Sequence, residues 1–158
     1  MIKNILMVCT GNTCRSPMAR ALMADLIQKD PVLRNAGIEV DSAGVEQPVF
    51  DEATAEAIEA MRDYGLDLGS HRSRRISDRL IERADLILVM ESWHREDITA
   101  MFPQCDGKIH LLADYSGGDG NVGDPYCRGI EAYRECAASL KGLLTELVNK
   151  IKADIASA

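Results

Sequence analysis

The sequence predicts an α/β fold, an open four-stranded parallel sheet with helices on both faces. Three observations predict it. Residues 4–9 (NILMVC) and 85–90 (DLILVM) are nearly all apolar, as strands covered on both faces of a parallel sheet must be. The segments between such runs carry apolar residues at helical spacing and begin and end on recognisable caps. The alternation continues along all 158 residues, a length that fills one core, so residues 1–158 are read as a single domain.

The first strand, 4–9, leads into a helix opened by Ser16 as N-cap and Pro17 at the first helical position, with Met18, Leu22, Leu26, Met23 and Ile27 on its apolar face. IEVDSAG (38–44) is a second, shorter strand. A helix from Asp51 to Tyr64 is stopped by Gly65. A short helix from Ser77 to Ala84 uses Ser77 as its cap, and the strand at 85–90 follows. Ser92 to Phe102 forms a helix closed by Pro103, on which Trp93 and His94 are read as packing and surface residues. KIHLLA (108–113) is the fourth strand. In the last helix Ile130, Tyr133, Ala137, Leu140, Leu144, Leu147 and Ile151 step by three and four, a stripe expected to lie on the sheet rather than in a coiled-coil seam. Sheets of this kind take ligands at the carboxyl ends of their strands, which brings Cys9 to Ser16 and the glycine-rich DYSGGDGNVGDP (114–125) to one edge.

Composition narrows the function. Hydrophobic residues make up 46% and charged residues 27%, and no apolar run approaches the roughly 18 residues that cross a bilayer, so no membrane association is expected. The opening MIKNILMVC gives way to polar TGNTC with no cleavage site, so no secretory signal is read and a cytoplasmic location is expected. A formal net charge of -7, with one local basic cluster at 71–75 (HRSRR), argues against a nucleic-acid partner. Five scattered cysteines do not suggest a disulfide framework. No Cys-x-x-Cys occurs and the three histidines are not spaced as zinc ligands, so neither a metal nor a cofactor is expected. No motif encodes the oligomeric state, and a monomer is the expectation.

The stretch VCTGNTCRSP (8–17) carries the chemistry. A strand ending at Cys9 and a helix starting at Ser16 leave a tight loop, in which Gly11 and Asn12 tolerate left-handed backbone. Its N–H groups turn inward at a helix N-terminus and form a cradle the size of a phosphate, to which Arg15 adds a planar fork of donors. The same surroundings favour the thiolate of Cys9. A lowered thiol pKa supplies at most about thirtyfold, so most of the acceleration has to come from positioning and from stabilising charge on the phosphoryl group.

This stretch closely resembles the signature of the low-molecular-weight protein tyrosine phosphatases. The resemblance continues through DSAG (41–44), SHRSR (70–74), ADLILVM (84–90) and GDPY (123–126). It implies that Cys9 is the nucleophile, Arg15 the phosphate clamp and Asp124 the general acid, later the base toward water. It further implies that Ser16 hydrogen-bonds the sulfur and that Asn12, Ser42 and His71 form a network holding the loop rigid. Thr10, Gly11, Asn12, Thr13, Cys14, Ser16 and Tyr126 are then the substrate-binding residues, phosphorylated proteins the partners, and no cofactor is needed. Cys105, Cys127 and Cys136 are read as structural, with the pocket rim as the alternative for Cys127, which lies beside the Asp-Pro-Tyr triplet.

Thr13 bears on the substrate. Members directed at tyrosine commonly carry an aliphatic residue there, and CTGNTCRSP, with threonine, resembles the bacterial protein-arginine phosphatases of the same family. Val45 to Val49 lacks the aromatic wall of a phosphotyrosine slot, whereas Tyr126 leaves one such wall in place. Phosphoarginine is therefore favoured, with phosphotyrosine as the alternative. Thioredoxin-coupled arsenate reductases also resemble the chain around Cys9. They carry a resolving cysteine where this chain has Val89-Met90-Glu91, and glutamine where it has Pro17. A non-catalytic phosphoprotein-binding module would need neither a nucleophile nor an acid. Cys14 is read either as a redox thiol that traps oxidised Cys9 in a disulfide or as a small buried filler.

Overall fold

Strand β1 (Asn4–Cys9) lies at the centre of the sheet, and its side chains alternate between two cores. Ile5, Met7 and Cys9 enter one hydrophobic layer, Leu6 and Val8 the other. The computed structural model, which describes every residue from Met1 to Ala158, pairs β1 in parallel with β2 (Glu39–Gly44) on one side and β3 (Leu86–Val89) on the other. β4 (Ile109–Leu111) adds beyond β3, giving the order β2-β1-β3-β4. From β1 the chain first moves to β2 and then returns past β1 to β3. The carboxyl ends of β1 and β3 therefore flank the crevice that such sheets leave for a ligand.

The helices in chain order are α1 (Arg15–Lys29), α2 (Pro31–Asn35), α3 (Ala55–Arg62), α4 (Asp78–Arg83), α5 (Ser92–Met101), α6 (Leu112–Tyr115) and α7 (Ile130–Ala156), with a 3₁₀ segment at Pro103–Lys108. α1, α3 and α7 cover one face, where Met18, Leu22, Met61, Leu140 and Leu144 join a cluster of 29 buried residues. Each leucine fully buried there contributes about 2 kcal/mol. α4, α5 and the 3₁₀ segment cover the other face through Ile81, Ile98 and Cys105. The stripe of α7 is spent on this packing, and no helix is long and apolar enough to cross a membrane.

Several expected boundaries move, each for a physical reason. α1 starts at Arg15 with Cys14 as an N-cap whose side chain does not cap the helix but donates to Asp124 Oδ1 (3.8 Å), so Ser16 is not the cap. Pro17 becomes the third helical residue, still among the first four whose N–H has no partner within the helix. α3 starts at Ala55 rather than Asp51, because the preceding backbone is engaged elsewhere: Thr54 N donates to Thr13 O (2.9 Å) and Asp51 O accepts from Ser73 N (2.8 Å). The fourth strand keeps only three residues before the chain turns into α6. α2 was not expected, although Asp30 caps it by accepting from Val32 N (2.9 Å) with Pro31 in its first turn. Five residues are too few to display a helical period. α3 ends at Arg62, short of the expected Tyr64, and Gly65, at φ 71°, closes the turn beyond it; Ser77 caps α4.

Gly44 closes β2 directly under the loop that follows β1. A Cβ there would lie 2.8 Å from Thr10 O, 2.9 Å from Gly11 C and 3.0 Å from Asn12 N, all backbone atoms that cannot rotate away. Gly44→Ala is therefore expected to lower stability by about 1–3 kcal/mol through overpacking. Urea unfolding tests this; a variant within 0.5 kcal/mol of the parent would show that the loop yields freely.

Candidate active site

The loop from Thr10 to Cys14 turns on one residue. Asn12 has φ 57°, a conformation that costs asparagine less than most residues, while Gly11 does not use the left-handed region expected of it. Asn12 is fully buried and every polar group of its side chain is engaged. Its Nδ2 donates to Ser16 Oγ (2.9 Å) and Ser42 Oγ (3.0 Å), and its Oδ1 accepts from Arg74 N (3.0 Å). Its carbonyl accepts from His71 Nε2 and Ser73 Oγ, both at 2.8 Å. Burial pulls the His71 pKa down against that bond, with Arg20, Arg74 and Arg72 adding to the fall, so a neutral ring donates through Nε2. Ser16 Oγ, having accepted from Asn12, can turn its hydrogen to Cys9 Sγ, 3.0 Å away. Ser16 thus serves the sulfur rather than the helix cap.

Arg15 is 1% exposed. Its Nη1 donates to Glu91 Oε2 (2.8 Å) and Val122 O (2.7 Å), and its Nη2 to Thr10 Oγ1 (3.3 Å). Asp124 Oδ2 lies 3.7 Å from Nη2, and the buried Nε has no protein partner. Burial opposes the charge, but Cys9, Glu91 and Asp124 outweigh it and hold the guanidinium pKa above its ordinary value. Glu91, two residues beyond β3, is the N-cap of α5 and enters a reciprocal cap with His94, whose Nδ1 accepts from Glu91 N (3.0 Å). A backbone N–H can only donate, so the His94 proton sits on Nε2 and reaches Thr10 Oγ1 at 2.9 Å. His94 is fully buried, not the surface or packing residue expected.

Cys9, Thr10, Gly11, Thr13, Cys14 and Arg15 form the floor of a cavity of about 210 Å³. Asp124, Tyr126, Glu46, Gln47, Val49 and Phe50 complete its lining. Phe50 supplies an aromatic wall one residue beyond the segment in which none was found. Asn12 and Ser16, expected among the substrate-binding residues, do not line the cavity; with Ser42 and His71 they stand behind the loop, joined by the hydrogen bonds of Asn12. Asp124 is 46% exposed on its side chain and its Oδ1 accepts from Tyr126 N (3.1 Å), so the carboxylate is held at the mouth within reach of solvent and substrate. Cys127 is exposed, at φ 62°, next to this turn. A sulfur nucleophile, an anion cradle with a buried guanidinium and a carboxylate at the rim can together transfer a phosphoryl group.

Residues 4–157 match the family described as low molecular weight phosphotyrosine protein phosphatase. The chain belongs to that family. It is 36% identical over 152 residues to a protein-arginine-phosphatase of Bacillus subtilis, covering 96% of this chain and 98% of the relative. It is 34% identical over 153 residues to a probable low molecular weight protein-tyrosine-phosphatase, EpsP, of Ralstonia nicotianae, covering 97% and 99%. It also superimposes, with a TM-score of 0.86, 35% identity and coverage of 96% and 97%, on an arginine phosphatase whose cysteine-to-serine mutant carries a phosphorylated active-site serine. Like these relatives, this chain is a protein phosphatase.

The residues of this phosphatase that sequence reasoning missed are Glu91, His94 and Phe50. A signal existed for the first two: Glu91 directly follows a strand whose carboxyl end must face the cradle, and His94 stands at capping-box distance from it. Their contact at 3.9 Å is no ion pair at neutral pH, because burial and then Arg15 lower the His94 pKa to about 4. The unfolded chain takes up that proton near pH 6.5. The stability contributed by neutral His94 is therefore complete above pH 6.5 and is lost as the pH falls toward 4, at roughly 1.4 kcal/mol per unit. Urea unfolding of the parent and His94→Gln should show their stability difference shrinking by about 2 kcal/mol from pH 7 to pH 4.5; an unchanged difference would place the His94 proton elsewhere.

Proposed function

We propose that this chain is a cytoplasmic, monomeric, cysteine-dependent protein phosphatase that favours phosphoarginine. The observation that carries the mechanism is the arrangement around Cys9 Sγ: Ser16 Oγ 3.0 Å away, and Arg15 buried beside it with a free Nε. The phosphoryl oxygens take the loop N–H groups and the Arg15 fork, which aligns phosphorus with the sulfur. Cys9 attacks, the P–N or P–O bond breaks, and Asp124 gives its proton to the leaving nitrogen or oxygen. Asp124 then removes a proton from water as water attacks phosphorus, and the S–P bond breaks to release phosphate. Ser16 donates to the departing thiolate. The serine-phosphorylated mutant of the related arginine phosphatase supports the covalent step.

Thr13 and Glu46 at the mouth support the preference for a guanidinium, which takes a hydroxyl and a carboxylate as hydrogen-bond acceptors where a phenyl ring takes neither. Phe50 and Tyr126 favour a second reading, phosphotyrosine, since two aromatic walls suit a phenyl ring as well as a planar guanidinium. A redox relay of the arsenate reductase type is not favoured: Cys105 lies in the core across the sheet from Cys9, and Val89-Met90-Glu91 stands where the relay's resolving cysteine is expected. Steady-state turnover of phosphoarginine and phosphotyrosine peptides tests the reading. Cys9→Ser should abolish both while still binding phosphate, and Thr13→Ile should lower the phosphoarginine-to-phosphotyrosine ratio by about tenfold. Turnover surviving in Cys9→Ser would end the mechanism, and an unchanged ratio in Thr13→Ile would end the argument from Thr13.

Cys14 has its thiol pKa driven far up by burial, Cys9 and Asp124, so it does not compete as a nucleophile at rest. We read it as the resolving thiol: peroxide converts Cys9 to a sulfenic acid, and Cys14 condenses with it, releasing water and leaving a disulfide. Peroxide inactivation should be reversed by dithiol in the parent and become irreversible in Cys14→Ser; equal recovery in both would make Cys14 a filler.

A further inference from the structure

Behind the phosphate cradle, on the far side of Asn12, lies a polar groove of about 310 Å³, larger than the catalytic cavity. It contains the only concentration of positive charge that the sequence displays. Arg20 reaches it from α1, and His71, Arg72 and Arg74 from the loop before α4, with the Ser42 and Ser73 hydroxyls beside them. Two carboxylates also line it, one in an ion pair and one held by a backbone N–H that leaves its charge on the wall. Asp41 pairs with Arg74, and Asp67 accepts from Gly69 N (2.8 Å). Arg20 and Arg72 have no carboxylate partner, and the one side-chain bond of Arg72 goes to the carbonyl of His71 (3.0 Å). Arg20, Arg72 and Arg74 share this groove with the His71 ring, and their charges add to burial in lowering its pKa.

Arg20 and Arg72, left without a carboxylate partner on this wall, raise each other's energy unless an anion joins them. Guanidinium groups from two elements, spread over a cavity of this size, suit several phosphate groups in a row better than a single one. We propose that this groove is a second anion site that takes the phosphate chain of an oligophosphate, free or carried by a nucleotide. The bound chain lies against His71, Ser73 and Arg74, the residues whose bonds hold Asn12, and so touches the cradle from behind without entering it. The site is independent of which phosphorylated residue the enzyme hydrolyses.

The three histidines make the test specific, since His71 reports on the groove, His94 on the cradle and His110 on β4, away from both. Ring ¹⁵N correlations are followed at constant pH while tripolyphosphate is added to the full chain. The His71 signals should saturate with their own dissociation constant, distinct from that read at His94. Arg72→Gln and Arg20→Gln, which alter no residue of the catalytic cavity, should each weaken the His71 response by about tenfold and leave the His94 response in place. ATP in place of tripolyphosphate separates the carriers: equal affinity means the groove reads the phosphate chain alone, tighter binding that it also reads the nucleoside, and both support the site. A His71 response that only tracks His94 with a single constant, or one unaffected by either substitution, would overturn it.

Discussion

A guanidinium that is 1% exposed is the constraint around which this protein is arranged. An isolated charge at such depth costs several kcal/mol, and Arg15 is tolerated because three separate loops bring it acceptors. Thr10 comes from the loop after β1, Glu91 from just beyond β3, and Val122 O from the glycine-rich segment after β4. Each of these segments is fixed in part by its share in neutralising one side chain. The reversal of strand order between β1 and β3 is what lets them meet. Arg15 consequently stands in place before substrate arrives, and its orientation need not be assembled during the reaction.

The second constraint acts on the other side of the loop. Asn12 accepts a left-handed backbone and complete burial, and five hydrogen bonds from its amide and carbonyl offset that strain. The same amide donates to the Ser16 hydroxyl, whose own hydrogen is left for Cys9 Sγ or Ala43 O, and this joins the backbone geometry to the state of the sulfur. Gly44 allows β2 to come close enough for this packing. Fold and chemistry meet here at the level of single atoms: a Cβ on Gly44, or a lost carbonyl bond at Asn12, would move the floor on which Cys9 rests.

The sheet, its parallel order and the cradle were legible because each has a local signal: doubly buried strands read as unbroken apolar runs, and the cradle is contiguous in sequence. What stayed hidden depends on contacts between distant residues. Glu91 and His94 look like an ordinary helix start until β3 is seen to end beside Arg15. Ser16 precedes a proline in the manner of an N-cap, but the sulfur and Asn12 claim its hydroxyl. Gly11 looks like the turn residue, yet Asn12 makes the turn, since only a residue with an amide could make the bonds that hold it. Phe50 reaches the mouth across a loop whose path no periodicity describes.

The central claim is that this preset cradle hands a phosphoryl group to Cys9. Rapid acid quench of the enzyme during turnover of a phosphorylated peptide, followed by peptide mass spectrometry, measures that directly. The account predicts a phosphoryl group on Cys9 during turnover, and in Asp124→Asn a slowing of both its formation, for want of an acid at the leaving group, and its hydrolysis, for want of a base at the water. Turnover with no phosphate on Cys9 at any time, or with the phosphate on another residue, would contradict it.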